Sequence, residues 1–127
     1  MPHLSPILRL LSPFCAGMLA LAACAGTALA HAELTASLPA KDSVQTQPPR
    51  EVVLEFGEKV EPSFSTVSVA DAAGKRVDTG KVSLDPLRPT VLHVPLAGVA
   101  PGKYVVIWRA VSVDTHVSKG RFGFEVQ

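Results

Sequence analysis

The chain has 127 residues, 47% of them hydrophobic and 18% charged, with a formal net charge of +1 and two cysteines. That length holds one domain and excludes a large multidomain enzyme. So small a charge excludes the basic excess on which nucleic-acid binders depend, and the mean hydropathy of +0.29 averages two unlike segments.

Residues 1–30 carry one charged side chain, Arg9, and every acidic residue lies from Glu33 onward. Met1 to Arg9 reads as a short positive n-region, and Leu10 to Ala23 as an apolar h-region broken only by Ser12 and Pro13. Ala28-Leu29-Ala30 places small residues where a signal peptidase requires them, so cleavage is expected between Ala30 and His31. A transmembrane anchor is disfavoured because the uninterrupted apolar run is shorter than the ~20 residues a bilayer demands. Leu21-Ala22-Ala23-Cys24 also resembles a bacterial lipobox, in which Cys24 would be lipidated and become the mature N-terminus. The two processing routes stay open on the residues.

Cleavage at His31 removes both cysteines, Cys15 and Cys24, and both methionines, Met1 and Met18. The mature domain, residues 31–127, then has no disulfide, no thiolate metal site and no cysteine nucleophile. Secretion without disulfides fits a bacterial periplasm, where they are permitted but not required. Loss of Arg9 brings the remaining lysines and arginines level with the eleven acidic residues.

The mature chain reads as short strands. Arg50 to Phe56 alternates, with Val52, Leu54 and Phe56 on one face. Phe64 to Ala70 carries Phe64, Val67 and Val69 in a Ser/Thr mixture, and Thr90 to Leu96 places Leu92, Val94 and Leu96 together. Lys103 to Val111 aligns Tyr104, Val106 and Trp108, while Arg121 to Val126 alternates Phe122, Phe124 and Val126 with polar neighbours. This period-2 pattern, rich in valine and aromatic residues, is the strand signal. Turn formers separate the runs at Lys41-Asp42-Ser43, Pro48-Pro49, Ala73-Gly74-Lys75, Asp85-Pro86 and Ala100-Pro101-Gly102-Lys103. Six or seven short strands predict one all-β domain: an antiparallel sandwich or small barrel of Greek-key topology, Ig-like or cupredoxin-like in class.

No glycine-rich phosphate loop, Gly-x-Ser-x-Gly elbow or His-Glu-x-x-His occurs. Without cysteine, a His/His/Cys blue-copper site cannot form. Two features remain. An N-terminal His31 would offer its freed α-amine and its imidazole to one metal, closing a chelate ring. In Asp114-Thr115-His116, residues two apart in an extended segment point the same way, so a carboxylate and an imidazole converge. Taken alone, each has a bland reading: whatever residue followed the cleavage site, and a surface turn. Together, amine, two imidazoles and a carboxylate form an N,N,N,O set suited to tetragonal Cu(II), which the divalent affinity order favours over zinc. His93 falls opposite the Leu92/Val94/Leu96 face and is expected to be an outward structural histidine. Trp108 is expected in the core, and Lys75-Arg76 and Lys119 to Arg121 as solvated charges.

These residues resemble the CopC family of periplasmic copper-binding proteins. The resemblance runs through His31-Ala32-Glu33-Leu34, Ser37-Leu38-Pro39-Ala40, Val53-Leu54-Glu55-Phe56-Gly57-Glu58 and Ala100-Pro101-Gly102-Lys103-Tyr104. It closes with Trp108-Arg109-Ala110-Val111-Ser112, Asp114-Thr115-His116 and Gly120-Arg121-Phe122-Gly123-Phe124. It implies a Greek-key β-barrel binding one Cu(II) through His31, Asp114 and His116, with Glu58 as an acidic neighbour of the metal. It further implies a copper carrier in resistance or homeostasis whose partner would be an inner-membrane copper transporter of the CopD type; a monomer without enzymatic activity is expected. Two departures stand out. The family's usual Asp-Gly-His-Pro reads Asp114-Thr115-His116-Val117, losing a permissive and a fixed φ. The methionine-rich Cu(I) site of some relatives has no counterpart in a mature domain without methionine, which implies a Cu(II)-only member. The alternatives are a small histidine-brace copper oxygenase and a metal-free Ig-like interaction module.

Overall fold

The alternating runs become two facing sheets in the computed structural model, which describes residues 33–127. The expected leader and its two processing sites, Cys24 and Ala30/His31, lie outside the described residues. In chain order the strands are β1 (Leu34–Leu38), β2 (Val44–Gln45), β3 (Glu51–Phe56), β4 (Thr66–Asp71), β5 (Ser83–Leu84), β6 (Val91–Pro95), β7 (Gly102–Val111) and β8 (Val117–Val126). One sheet has the order β1-β3-β6-β5 and the other β2-β8-β7-β4. All pairings are antiparallel except that of β2 with β8, which is parallel. Of the two forms expected, the architecture is the sandwich.

The core lies between the inward faces that alternation marked. Val52, Leu54 and Phe56 of β3 and Leu92 and Val94 of β6 face Val67 and Val69 of β4, Tyr104, Val106 and Trp108 of β7, and Phe122, Phe124 and Val126 of β8. Trp108 meets Phe56 across the sandwich, ring edge to face at 5.3 Å, a geometry that adds about 0.5–1.5 kcal/mol to the area it buries. Its cross-strand neighbour is Gly120, and a Cβ there would lie 2.5 Å from the indole. Only glycine lets the ring lie flat on β8. Tyr104 stacks on Phe124 and its hydroxyl donates to the Ala100 carbonyl at 2.6 Å while accepting from the Ala100 N–H. That pair of bonds closes the turn leading into β7.

Some expectations shift. β8 begins at Val117 rather than Arg121, so β7 and β8 form a hairpin of ten residues per strand. Phe64 is not a strand residue: it ends a 3₁₀ turn, Pro62–Phe64, and is 66% exposed. Pro62 fixes φ for that turn, and the N–H groups of Phe64 and Ser65 are bonded back to the carbonyls of Glu61 and Pro62. Strands β1, β2 and β5 add three that the alternation did not mark.

Candidate metal centre

The site is built on the β7–β8 hairpin turn. Pairing ends at Val111 with Val117, and Ser112 organises the five residues between. Its N–H donates to the His116 carbonyl and its carbonyl accepts from the Thr115 N–H, each at 2.9 Å. The Ser112 hydroxyl donates to Asp114 Oδ1 and accepts from the His116 N–H. Ser112 is 1% exposed, so this pin is shielded from water. The hydroxyl first holds the Asp114 carboxyl below the usual carboxylate range against the upward push of burial, with the neighbouring His116 adding to the hydroxyl's effect. A carboxylate ready to ligate at neutral pH follows.

Between Asp114 and His116 the backbone must reverse, and Thr115 does so at φ +73°. That left-handed conformation costs a β-branched residue about 1–2 kcal/mol. With it, Asp114 and His116 fall on one side, Oδ2 3.1 Å from Nδ1. The same-side placement anticipated from an extended segment is therefore reached through a turn.

A second segment comes alongside. Val60 is buried in the core and bridges to Ser112; the Val113 N–H donates to the Lys59 carbonyl and the Glu61 N–H to the Val111 carbonyl. These bonds lay residues 59–61 against the hairpin turn. Glu58 thereby joins the pair, and one donor atom from each of Glu58, Asp114 and His116 lies within 4.8 Å of the others. Donors on one first-row metal with bonds of about 2.0–2.2 Å sit about 3–4.4 Å apart, so the three fit a single ion after a small contraction. An imidazole with two carboxylates is a hard-to-borderline set suited to a divalent transition metal.

His31, the remaining expected ligand, lies outside the described residues. The described chain begins beside the site: the Glu33 carbonyl accepts from the Gly57 N–H at 2.9 Å, next to Glu58. Glu58 entered the sequence reading only through the family resemblance, and Ser112 did not enter as a functional residue. The signal for each was weak, an acid at a strand end and a serine two residues before an aspartate. His93 is far from being a ligand. Its Nδ1 meets Glu51 at 3.1 Å and its Nε2 meets Asp85 at 2.8 Å, so both ring nitrogens serve as hydrogen-bonding partners on the outer face of β6.

Comparison with known proteins follows the same lines. The CopC domain model matches residues 34–127. Protein YobA of Escherichia coli is 36% identical over 99 residues, covering 77% of this chain and 80% of its own. The structure of CopC from Methylosinus trichosporium OB3b matches with a TM-score of 0.72 at 32% identity, covering 76% of this chain and 94% of that one. PcoC from Escherichia coli, described as a methionine-rich copper resistance protein, matches with a TM-score of 0.68 at 30% identity, covering 77% and 100%.

Proposed function

The chain belongs to the CopC family, and we propose that it is a periplasmic carrier of a single Cu(II), acting in copper resistance or homeostasis and not as an enzyme. The observation that carries this reading is the convergence of Glu58, Asp114 and His116 at the hairpin turn. His31 completes the set when signal cleavage frees its α-amine. It lies two positions before Glu33, a reach of about 7 Å at most, and Glu33 is already hydrogen-bonded beside Glu58. Domain boundaries follow: a leader over 1–30 and a copper-binding domain over 31–127.

The copper is cargo, and its oxidation state decides its fate. Imidazole, amine and carboxylate hold Cu(II), while residues 31–127 contain no cysteine or methionine to hold Cu(I). Reduction therefore loosens the metal, and ascorbate should release it to a chelator. The partner in that transfer is an inner-membrane copper transporter of the CopD type, met by a monomeric carrier. A histidine-brace oxygenase is disfavoured because Asp114, with Glu58 beside it, would crowd the positions that oxygen chemistry needs open.

Native mass spectrometry of the protein exported by its own leader, before and after one equivalent of Cu(II), tests the proposal. A mass beginning at His31 with one retained copper is expected. A chain beginning at His31 that retains none overturns it, and a lipidated mass beginning at Cys24 removes the amine from the ligand set.

A further inference from the structure

The half of the outer β4–β7–β8 face nearest the hairpin turn is one-sided in charge, with Glu125 of β8 opposite Lys103 at the far end. Arg109 of β7 lies opposite Lys119 of β8, and Ile107 lies opposite Arg121 one row further on. All four are outward and exposed, Ile107 by 50%. Together with Arg76 they line a groove of about 660 Å³ whose walls include no acidic side chain. Arg76 is neutralised by Asp78 at 2.6 Å. Among the described residues, Arg109, Lys119 and Arg121 take part in no ion pair. The described chain has equal numbers of cationic and acidic residues, so this face owes its sign to segregation: Glu58 and Asp114 sit at the hairpin turn, and Glu51 and Asp85 sit on the other sheet around His93.

We propose that this groove binds an extended acidic segment of a protein partner, carboxylates on Arg109, Lys119 and Arg121 and apolar side chains on Ile107. Complementary charge sets the sign of the occupant, and spacing sets its form. Lys119 and Arg121 are two residues apart on one strand, about 6.6–6.8 Å. That is the repeat of same-side side chains in an extended polypeptide, so alternate residues of a strand-like segment reach both cations. The walls are concave and hold a half-exposed isoleucine between the cations, a shape that receives a chain and fits a flat bilayer surface poorly. The face also leads to the metal turn, because β8 enters it directly: His116, Val117, then Lys119. A segment lying along β8 brings its own protein to the edge of the Glu58/Asp114/His116 cluster. In its use for copper exchange, though not in its recognition chemistry, this proposal rests on the carrier reading above.

The test uses a short synthetic peptide of alternating glutamate and leucine, with its lysine-leucine counterpart and phosphatidylglycerol vesicles as further probes. Backbone amide shifts of the full mature protein are followed by NMR. The acidic peptide should move Ile107, Arg109, Lys119 and Arg121, and binding should weaken at least about tenfold between low and high salt. The triple variant R109E/K119E/R121E should lose acidic-peptide binding and begin to bind the basic peptide. If reversal harms folding, K119Q/R121Q, which keeps the strand's polar face, should weaken acidic binding about tenfold. No shift on this face, or equal binding to wild type and the variants, overturns the proposal. So does vesicle binding that the variants lose while the peptide is ignored, since the face would then be a membrane surface. Cu(II) binding measured on the same variants should be unchanged. Loss of copper from wild type would sink the carrier reading and leave the peptide result intact.

Discussion

Two histidines in this protein each have two carboxylates as neighbours, arranged in opposite ways. His93 has Glu51 on one ring nitrogen and Asp85 on the other, so the carboxylates stand on opposite sides of the ring. An imidazolium satisfies both, and the Asp85 hydrogen bond foremost holds the His93 pKa above its ordinary value. The result is a clasp tying the 85–90 turn across β6 and the start of β3. His116 has the same neighbours in kind, Asp114 and Glu58, yet there the donor atoms converge on one point. Residue type is common to both clusters; donor direction separates a structural clasp from a candidate metal centre.

Deleting the two imidazoles should break the symmetry most sharply. His116→Ala should weaken Cu(II) binding by about 100-fold or more, a ligand loss worth at least the ~2.7 kcal/mol of two decades. His93→Ala should leave it within about twofold, as read by competition with a chromophoric chelator. Equal losses in the two variants would show that the convergence of donors at the hairpin turn has no bearing on copper. A smaller effect, about tenfold, is expected for Glu58→Gln; no change in affinity or in the Cu(II) spectrum would remove Glu58 from the coordination sphere.

Stability should respond in the turn as well. Thr115→Gly relieves the left-handed strain, at about 1–2 kcal/mol, against a larger loss of unfolded-chain entropy for glycine, about 0.5–1 kcal/mol. A net gain of about 0.5–1 kcal/mol in denaturant unfolding of the metal-free protein is expected. A loss would mean that the threonine side chain contributes contacts outweighing its backbone strain.

The smallest effect is the pH signature of the clasp. A raised folded-state pKa at His93 contributes stability that is complete below the unfolded value of about 6.5 and fades as pH rises through the folded value. Asp85, held below the usual range by His93 first and by the Leu87 and Arg88 N–H groups, contributes above its unfolded pKa and loses that contribution as acid protonates it. Wild type should therefore hold its greatest advantage over His93→Gln in mildly acidic solution, narrowing toward alkaline pH. A difference in melting temperature that is flat with pH would mean the clasp is not ionic.

The strands recovered from alternation were those with at least two inward apolar residues at alternate positions. β3, β4, β6, β7 and the second half of β8 are of that kind. β2 and β5, two residues each, are too short to display a period and exist because a neighbouring strand offers a free edge. β1 shows no inward-outward rhythm, with Leu38 at 66% exposed. The start of β8 was hidden because Gly120 sits where alternation expects an apolar residue, the space being filled by Trp108 from the partner strand. Val91 is fully buried on the side expected to be outward, because the 85–90 turn folds back there, with Asp85 N–H bonded to the Val91 carbonyl and Val91 N–H to Arg88.

Local chemistry thus decided the fold class, the inward faces and the Asp114/His116 pair, since each depends on residues a few positions apart whose relation the backbone period fixes. Glu58 lies more than fifty residues before Asp114, and no local rule relates them. Burial of Val60 and the bonds from Val113 to Lys59 and from Glu61 to Val111 bring them together. The opposed carboxylates of His93 and the acid-free groove on the second sheet are likewise products of strand register. Composition gave both histidine clusters the same ingredients, and only packing in three dimensions could set the directions in which their lone pairs and charges point.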